Sequence, residues 1–282
     1  MPKASPTRPR VIAISNNKGG VAKTTTAINL AGALLLRKKR VLVIDLDPQA
    51  NASTALDILI TADSLGTKSL LQDDQCSIAD CTYDKGSFLD VIPAHRSLVD
   101  IQHHLLINPA GRVRLRDKLR QGARRYDYVL LDCPPDVGSL TQSALVAAHE
   151  VIIPVDVGYF SVDGLANMLD LLEQVRKALN PDLALLGILV TKYDTRTTLS
   201  QNTLEALRAE GLPVLTPPIR ICVEIIRAQQ QRVPVSFLER REDDVPPNNA
   251  AEDYERLAEV LLPIQEQTRV RKREPNVVRL RQ

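Results

Sequence analysis

The chain has 282 residues, of which 44% are hydrophobic and only 3% aromatic, with no tryptophan. This length fits one large domain with an aliphatic core, and the 12 glycines and 18 prolines exclude a low-complexity chain. The net charge of +2 hides an asymmetry, because the first ten residues and the segment 269–282 are basic while the remainder is acidic.

Charge and apolar patterning suggest three parts: a basic arm over 1–10, one domain over 11–268 and a basic tail over 269–282. The basic ends are either soluble tails or contacts for a polyanion. No signal core and no apolar run of eighteen residues is visible, so we expect a cytoplasmic protein without a membrane partner. The four cysteines lack the spacing of a zinc site or a disulfide scaffold.

Short apolar runs rich in Val, Ile and Leu recur along the chain, and each predicts a strand covered on both faces. The predicted strands are Val11–Ser15, Arg40–Asp45, Leu89–Pro93, Tyr128–Asp132, Val151–Val155, Leu185–Thr191 and Val214–Leu215. Helical spacing of apolar residues alternates with them, at Thr24–Arg37, Ser161–Ala178, Thr198–Ala209 and Ala250–Gln267. The pattern predicts a doubly wound α/β fold with a mostly parallel sheet flanked by helices. We expect residues 57–88 to form a surface excursion.

A glycine pair joins the first predicted strand to the first predicted helix, in the run Lys18-Gly19-Gly20-Val21-Ala22-Lys23-Thr24-Thr25. Glycines there let backbone N–H groups curl around a phosphate, and the helix N-terminus adds positive charge. Lys23 would reach the terminal phosphates of ATP, Thr24 would face Mg²⁺, and Thr25 would contact a phosphate oxygen.

The run departs from the strict phosphate-loop pattern, because Asn17 and Ala22 occupy positions where that pattern has glycine. A methyl group at Ala22 is tolerable only if the backbone stays in an ordinary φ region, so this residue bears on the loop geometry and not on the assignment.

Carboxylates follow two other predicted strands. Asp45 and Asp47 end the second strand, and Asp132 ends the strand that continues into Cys133 and Pro134. Because the carboxyl ends of parallel strands meet at one edge, these groups are expected where Mg²⁺ and the attacking water belong.

These motifs together resemble the ParA partition ATPases, in the deviant Walker A group that also contains MinD and the nitrogenase iron protein. The resemblance spans roughly residues 10–262. Its motifs are KGGVAKTTTAINLA (18–31), RVLVIDLDPQANAS (40–53), YDYVLLDCPP (126–135), the segment from Tyr159-Phe160 to Gly164-Leu165, and GILVTKY (187–193). The compact Soj-like subgroup fits best, since no DNA-reading domain precedes the first strand.

The resemblance implies a Mg²⁺-dependent ATP hydrolase that forms an ATP-dependent homodimer. Lys18 matches the lysine that crosses to the partner's nucleotide, Asp47 the residue that orients the hydrolytic water, and Asp132 the Mg²⁺-linked acid. The adenine is expected beside Lys192, Pro217 and Pro218. Because no strong general base and no histidine is visible near the motifs, we expect slow hydrolysis that a ParB-like or cargo-adaptor protein stimulates.

The resemblance also implies binding to DNA without sequence preference, with nucleoid association in the ATP state. The residues expected to contact DNA are Arg220, Arg227 and Arg232. A further basic run extends from Arg112 to Arg125, with Leu115 and Leu119 one helical turn apart; it is either a solvated helix face or a second basic surface. The cargo, whether chromosome, plasmid or protein assembly, carries no motif.

Three alternatives stay open at this point. A MinD-like membrane-surface ATPase would use an amphipathic C-terminal helix, which Pro275 interrupts here. An iron–sulfur reductase would require two cysteines per chain that converge on a dimer axis, whereas Cys133 is expected to be a small buried residue. A non-hydrolytic scaffold would keep the fold without the reaction, but Lys23, Thr24, Asp47 and Asp132 are all intact.

Overall fold

A computed structural model describes residues 8–86, 88–157, 162–238 and 249–262 of the chain. Most of the basic arm, the whole basic tail and the Tyr159-Phe160 segment lie outside these described residues. Within the described ranges, strands and helices alternate along the chain as the sequence predicts.

In the described ranges, seven strands are formed by the Val-, Ile- and Leu-rich runs and by one short segment that the pattern did not predict. They are β1 (Arg10–Ile14), β2 (Val41–Asp45), β3 (Tyr83–Asp84), β4 (Leu89–Ile92), β5 (Tyr128–Asp132), β6 (Glu150–Asp156) and β7 (Ala184–Thr191). They form one sheet in the order β3-β4-β2-β5-β1-β6-β7. All neighbours pair in parallel except β3 and β4, so the carboxyl ends of the six long strands lie at one edge.

Ten α-helices connect or follow these strands in the described ranges. They are α1 (Lys23–Leu36), α2 (Asn51–Ala55), α3 (Thr67–Gln72), α4 (Leu98–Ile107), α5 (Arg114–Gly122), α6 (Ser139–Ala147), α7 (Val162–Ala178), α8 (Thr198–Ala209), α9 (Val223–Gln230) and α10 (Asn249–Leu261). Short 3₁₀ helices occur at Pro109–Val113 and Val235–Phe237.

Two aliphatic cores cover the two faces of the sheet, because successive side chains of a strand point to opposite sides. In β1, Val11 and Ala13 join the core formed with α3 to α8. Ile12 and Ile14 join the opposite core, which contains residues of α1, α2, α9 and α10. This two-faced burial explains why the strands are continuously apolar, and it confirms the predicted doubly wound α/β class.

Two local predictions were wrong. Val214 and Leu215 form no strand, because Val214 makes only an isolated bridge to Ile188 beside the edge strand β7. The segment 57–88 is not merely an excursion, since it contains α3 and the edge strand β3. No described helix is both long enough and apolar enough to cross a bilayer.

Candidate nucleotide site

The loop between β1 and α1 is anchored to the neighbouring strands β6 and β7. The Asn16 side-chain amide donates to the carbonyl of Pro154 on the next strand, at 2.7 Å. Its amide oxygen accepts the backbone N–H of Lys18 at 3.1 Å, and the Thr191 hydroxyl donates to the carbonyl of Val21 at 3.2 Å. These bonds hold the loop in place while Gly19 and Gly20 face open space.

The backbone at Ala22 does not meet the condition of an ordinary φ. Gly20 has a φ of 75° and Ala22 a φ of 66°, so both occupy the left-handed region. A non-glycine residue there costs about 1–2 kcal/mol, since its Cβ approaches the following carbonyl. The curl of the loop imposes this geometry, because α1 begins directly after Ala22 and Thr26 donates to the Ala22 carbonyl at 2.9 Å.

Lys23 begins α1 and points back into the loop. Its Nζ donates to the carbonyl of Lys18 at 2.7 Å, and the residue is only 7% exposed. Burial lowers the pKa of its ammonium group, while the carboxylates of Asp132 and Asp47 act in the opposite direction. The side chain thus closes the loop on itself and places a cation among the acidic groups.

Asp45 and Asp47 come directly from the end of β2, as the sequence predicts. Asp45 is fully buried and accepts the backbone N–H and the hydroxyl of Ser53, at 2.9 and 2.7 Å. Burial raises the pKa of Asp45 to about 6, although the hydrogen bonds from Ser53 lower it. Asp47 is 7% exposed and accepts the N–H of Gln49 at 2.9 Å, and burial raises its pKa.

Asp132 ends β5 and is the register partner of Asp45. It is fully buried, and neither of its carboxylate oxygens has a hydrogen-bond partner of normal geometry among the described residues. Burial raises its pKa well above the usual value and the Asp45 carboxylate raises it further, whereas the nearby Thr24 hydroxyl lowers it. Buried polar oxygens without partners are rare, so this carboxylate fits a cation or its hydration shell.

A cleft of about 620 Å³ opens over these groups and is called here the phosphate-loop cleft. It is lined by Gly19, Gly20, Ala22, Lys23, Thr24, Thr25, Ile28, Asp47, Gln49, Asn51, Thr54, Ala55, Pro135, Lys192, Gln229 and Arg232. Lys192 lines the cleft, with its Nζ 2.7 Å from Asp156, and its contact with the adenine stays a prediction. Pro217 and Pro218 are not among the lining residues, and their role at the adenine stays a prediction.

The three arginines predicted to contact DNA are all engaged in ion pairs. The Arg220 guanidinium forms ion pairs with the carboxylates of Asp253 and Glu252, with N–O distances of 2.6 and 3.0 Å. Arg227 is 3.8 Å from Glu224 on its own helix, α9. Arg232 pairs with Asp57 and also lines the phosphate-loop cleft.

Some contributions to the site were beyond sequence reasoning. The role of Ser53 in holding Asp45 depends on the turn of α2 back onto β2, and no motif marks it. Asp136 acts on the charges of both Lys23 and Asp47 from the loop after β5. Asp136 lies four residues after Asp132, beyond the end of the same strand, and this spacing could have identified it from the sequence. Cys133, expected to be a structural residue, is 1% exposed beside Asp132.

Comparison with known proteins places this geometry in a family. A family model described as an AAA domain matches residues 9–185. The chromosome-partitioning ATPase Soj of Thermus thermophilus is 41% identical over 254 residues, which cover 90% of this chain and 95% of that protein. The chromosome partitioning protein ParA of Myxococcus xanthus is 41% identical over 203 residues, covering 71% of this chain and 70% of that protein.

A solved structure agrees with the fold. Cobyrinic acid a,c-diamide synthase of Mycobacterium smegmatis, crystallised with an ATP analogue and magnesium, superposes with a TM-score of 0.77 at 32% identity. The superposition covers 90% of this chain and 94% of that one.

Proposed function

The chain belongs to the ParA/Soj family of partition ATPases, and from that membership we propose that it is a switch driven by MgATP. In this proposal ATP binding joins two copies into a homodimer, the dimer binds DNA without sequence preference, and hydrolysis releases it. A ParB-like or cargo-adaptor protein accelerates hydrolysis. The cargo is a chromosome, a plasmid or a protein assembly, and the Thermus and Myxococcus relatives named for chromosome partitioning favour the first.

One observation carries the proposal: Lys23, Thr24, Asp47 and Asp132 converge beneath the glycine turn at the carboxyl edge of the sheet. The turn offers backbone N–H groups and a helix N-terminus to phosphates. The unpartnered oxygens of Asp132 and the hydroxyl of Thr24 suit Mg²⁺, which prefers oxygen ligands and keeps several waters. When bound, Mg²⁺ would supply positive charge against the phosphate oxygens.

The residues of this chain then act by position and charge. Lys23 leaves the Lys18 carbonyl and neutralises the terminal phosphates, and Thr24 and Thr25 orient the phosphate chain from the first turn of α1. Asp47 orients the attacking water. Among the described residues no histidine lines the phosphate-loop cleft, and in this proposal the unstimulated reaction lacks a strong general base and is slow.

Dimerisation is proposed to depend on Lys18. This residue sits at the start of the open glycine turn, next to Gly19 and Gly20, where a second copy could approach the nucleotide. A lysine that contacts the partner's phosphates would make the dimer interface sensitive to the nucleotide, because the attraction disappears with the γ-phosphate.

The test combines calorimetry with MgATP and light scattering of the eluted protein. Wild type should bind MgATP and dimerise; Lys23→Ala should lose nucleotide binding, and Lys18→Ala should bind nucleotide but stay monomeric. Lys177→Ala removes an exposed lysine of α7 and is the matched control. Absence of MgATP binding by wild type would contradict the whole proposal, and a normal dimer of Lys18→Ala would contradict the role of Lys18 alone.

A further inference from the structure

A second cleft lies at the opposite edge of the sheet from the phosphate loop. It has a volume of about 270 Å³ and is formed where β1 and β6 begin and α5 ends. Its polar lining comes from Arg8, Arg116, Arg120, Arg124, His149, Asn180 and Asp182. We call it the α5 arginine cleft. Among the described residues that line it, Asp182 is the only carboxylate, so this lining carries a strong excess of positive charge.

The arginines face outward because the opposite side of α5 is fixed in the core. Leu115 and Leu119 are 0% and 4% exposed and pack against the sheet. Arg116 and Arg120 are one turn apart on the remaining surface, which is the geometry that a period of 3.6 residues gives. Arg124 follows just after the helix and extends the same row.

Three of these arginines are available for a ligand. Arg8, Arg120 and Arg124 are exposed and have neither a hydrogen bond nor an ion pair to another described residue through their side chains. Arg116 is held by the carbonyl of Leu179 and by Asp117 and so sits more firmly in the wall.

The three arginines predicted from the sequence to contact DNA differ from these because they already have carboxylate partners. Arg220, Arg227 and Arg232 each face a carboxylate already, so a phosphate would have to displace Asp253, Glu224 or Asp57. Breaking an existing ion pair offsets most of what a new one contributes. Unpaired arginines carry no such cost, and they also attract a polyanion from a distance.

The positive charge of the cleft affects the pKa of the histidine in its wall, His149. His149 accepts the backbone N–H of Val11 on Nδ1, at 3.0 Å. Its pKa is lowered chiefly by burial and further by Arg120 and Arg8, although Glu150 raises it. His149 thus remains a neutral part of the wall, and the positive field comes from the arginines.

Residues near both ends of the described chain lie at this edge of the sheet. The described chain begins at Arg8, which lines the cleft. At the other end, the carbonyl of Leu261 accepts hydrogen bonds from Arg10 and from Tyr128 at the start of β1 and β5. The tail that follows carries Arg269, Arg271, Lys272, Arg273, Arg279 and Arg281.

We propose that the α5 arginine cleft is a binding surface for the phosphate backbone of double-stranded DNA. Arg8, Arg120 and Arg124 make the phosphate contacts, at the edge of the sheet away from the nucleotide. The inference rests on the proposed function only in taking DNA as the polyanion. Such contacts release counterions, so binding through them weakens steeply with salt and ignores base sequence.

The test measures binding of the full chain, with MgATP, to a fluorescent duplex of random sequence over a series of salt concentrations. Arg120→Ala with Arg124→Ala should weaken binding about ten-fold or more and reduce the magnitude of the salt slope by about two, because each of the two arginines neutralises one phosphate. Arg8→Ala, which removes no packed side chain, should weaken binding several-fold. Arg96→Ala is the matched control, since it removes an exposed arginine beyond the carboxyl end of β4 and should change neither quantity.

MgATP-dependent dimerisation, measured on the same samples, verifies that each variant is folded and switches. Replacing Arg120 and Arg124 by lysine should restore most of the salt slope, because lysine keeps the charge. Wild-type affinity in both the double alanine variant and Arg8→Ala would overturn the inference. If these variants bind normally while Arg227→Ala does not, the chain binds DNA at a surface other than the α5 arginine cleft. If wild type dimerises but does not bind DNA, both the DNA-binding step of the proposed function and the inference about the cleft are contradicted.

Discussion

Asp45 and Asp132 lie directly opposite each other as register partners at the ends of β2 and β5, and both are fully buried. Two carboxylates in a low-dielectric site cannot both ionise cheaply, and the Asp45 carboxylate adds to the effect of burial in raising the pKa of Asp132. Ser53 satisfies Asp45, whereas Asp132 has two oxygens without normal hydrogen bonds among the described residues. The pair is therefore destabilising for the protein alone and suited to a cation.

The first prediction concerns pH and the nucleotide-free protein. The pKa of Asp45 is about 6 in the folded state and 3.8 in the reference state, so between these values the folded protein binds more protons than the unfolded chain. The contribution of protonated Asp45 to the free energy of unfolding is therefore fully present below pH 3.8 and is lost as the pH rises through about 6. We expect wild type to lose free energy of unfolding relative to Asp45→Asn as the pH rises from 4.5 to 7.5. Urea unfolding of both proteins measures this difference. Identical pH slopes in the two proteins would contradict the assignment.

The second prediction separates stability from reaction at Asp132. Asp132→Asn removes one charge of the buried pair and lets an amide donate toward Asp45, so we expect the free energy of unfolding at pH 7 to rise by about 1–2 kcal/mol. MgATP hydrolysis should be lost in the same variant. Denaturation and phosphate release are the two measurements. Asp136→Asn, on the same loop, weakens an acceptor of the Gly138 N–H and should lower stability slightly; a similar loss for Asp132→Asn would refute the prediction.

The fold and the nucleotide site were largely predictable from sequence, for a physical reason. Strands buried on both faces are continuously apolar, and parallel strands bring their carboxyl ends together, so the sequence already implies Asp47 and Asp132 beside Lys23. The sequence did not predict the edge strand β3, because its two residues, Tyr83 and Asp84, are too few to show the alternation of apolar and polar residues. Val214 and Leu215 are apolar because their side chains join the two opposite cores, although their pairing with β7 is limited to one isolated bridge.

Long-range charge partners were not predictable. The pairing of Arg220 with Asp253, and of Arg232 with Asp57, joins residues far apart in sequence that any local pattern treats as free charges. The availability of Arg120 is likewise a property of its neighbours in space. A left-handed φ at Ala22 was missed for a similar reason, because the loop closure that imposes it comes from Asn16 and Thr191.

The third prediction uses that backbone geometry. Ala22→Gly removes the Cβ from a residue at φ 66°, and we expect a gain of about 0.5–1 kcal/mol after the greater entropy of the unfolded glycine is subtracted. Ala50→Gly, at φ 56° before α2, should gain a similar amount. Ala206→Gly, in the exposed middle of α8, should instead lose about 1 kcal/mol. Thermal or urea unfolding measures all three, and a loss in Ala22→Gly would contradict the strain.

The last prediction concerns the contact between α1 and the segment after α9. A Cβ added at Gly32 would lie 2.4 Å from the Cβ of Pro234, far inside van der Waals distance. The Pro234 segment cannot retreat freely, because the next residue, Val235, donates its N–H to the Asn29 side chain at 2.7 Å. We expect Gly32→Ala to lower the free energy of unfolding by about 1–2 kcal/mol, despite the better helix propensity of alanine.

The same substitution should also weaken MgATP binding, since Gln229 and Arg232 line the phosphate-loop cleft just before Pro234. Pro234→Gly removes the opposing Cβ and provides the matched partner for a double-mutant cycle read by urea unfolding and calorimetry. The double variant should be more stable than the sum of the two single losses, by about 1 kcal/mol, because the steric overlap exists only when both carbons are present. Strict additivity would mean that Gly32 is required for a reason other than this close approach.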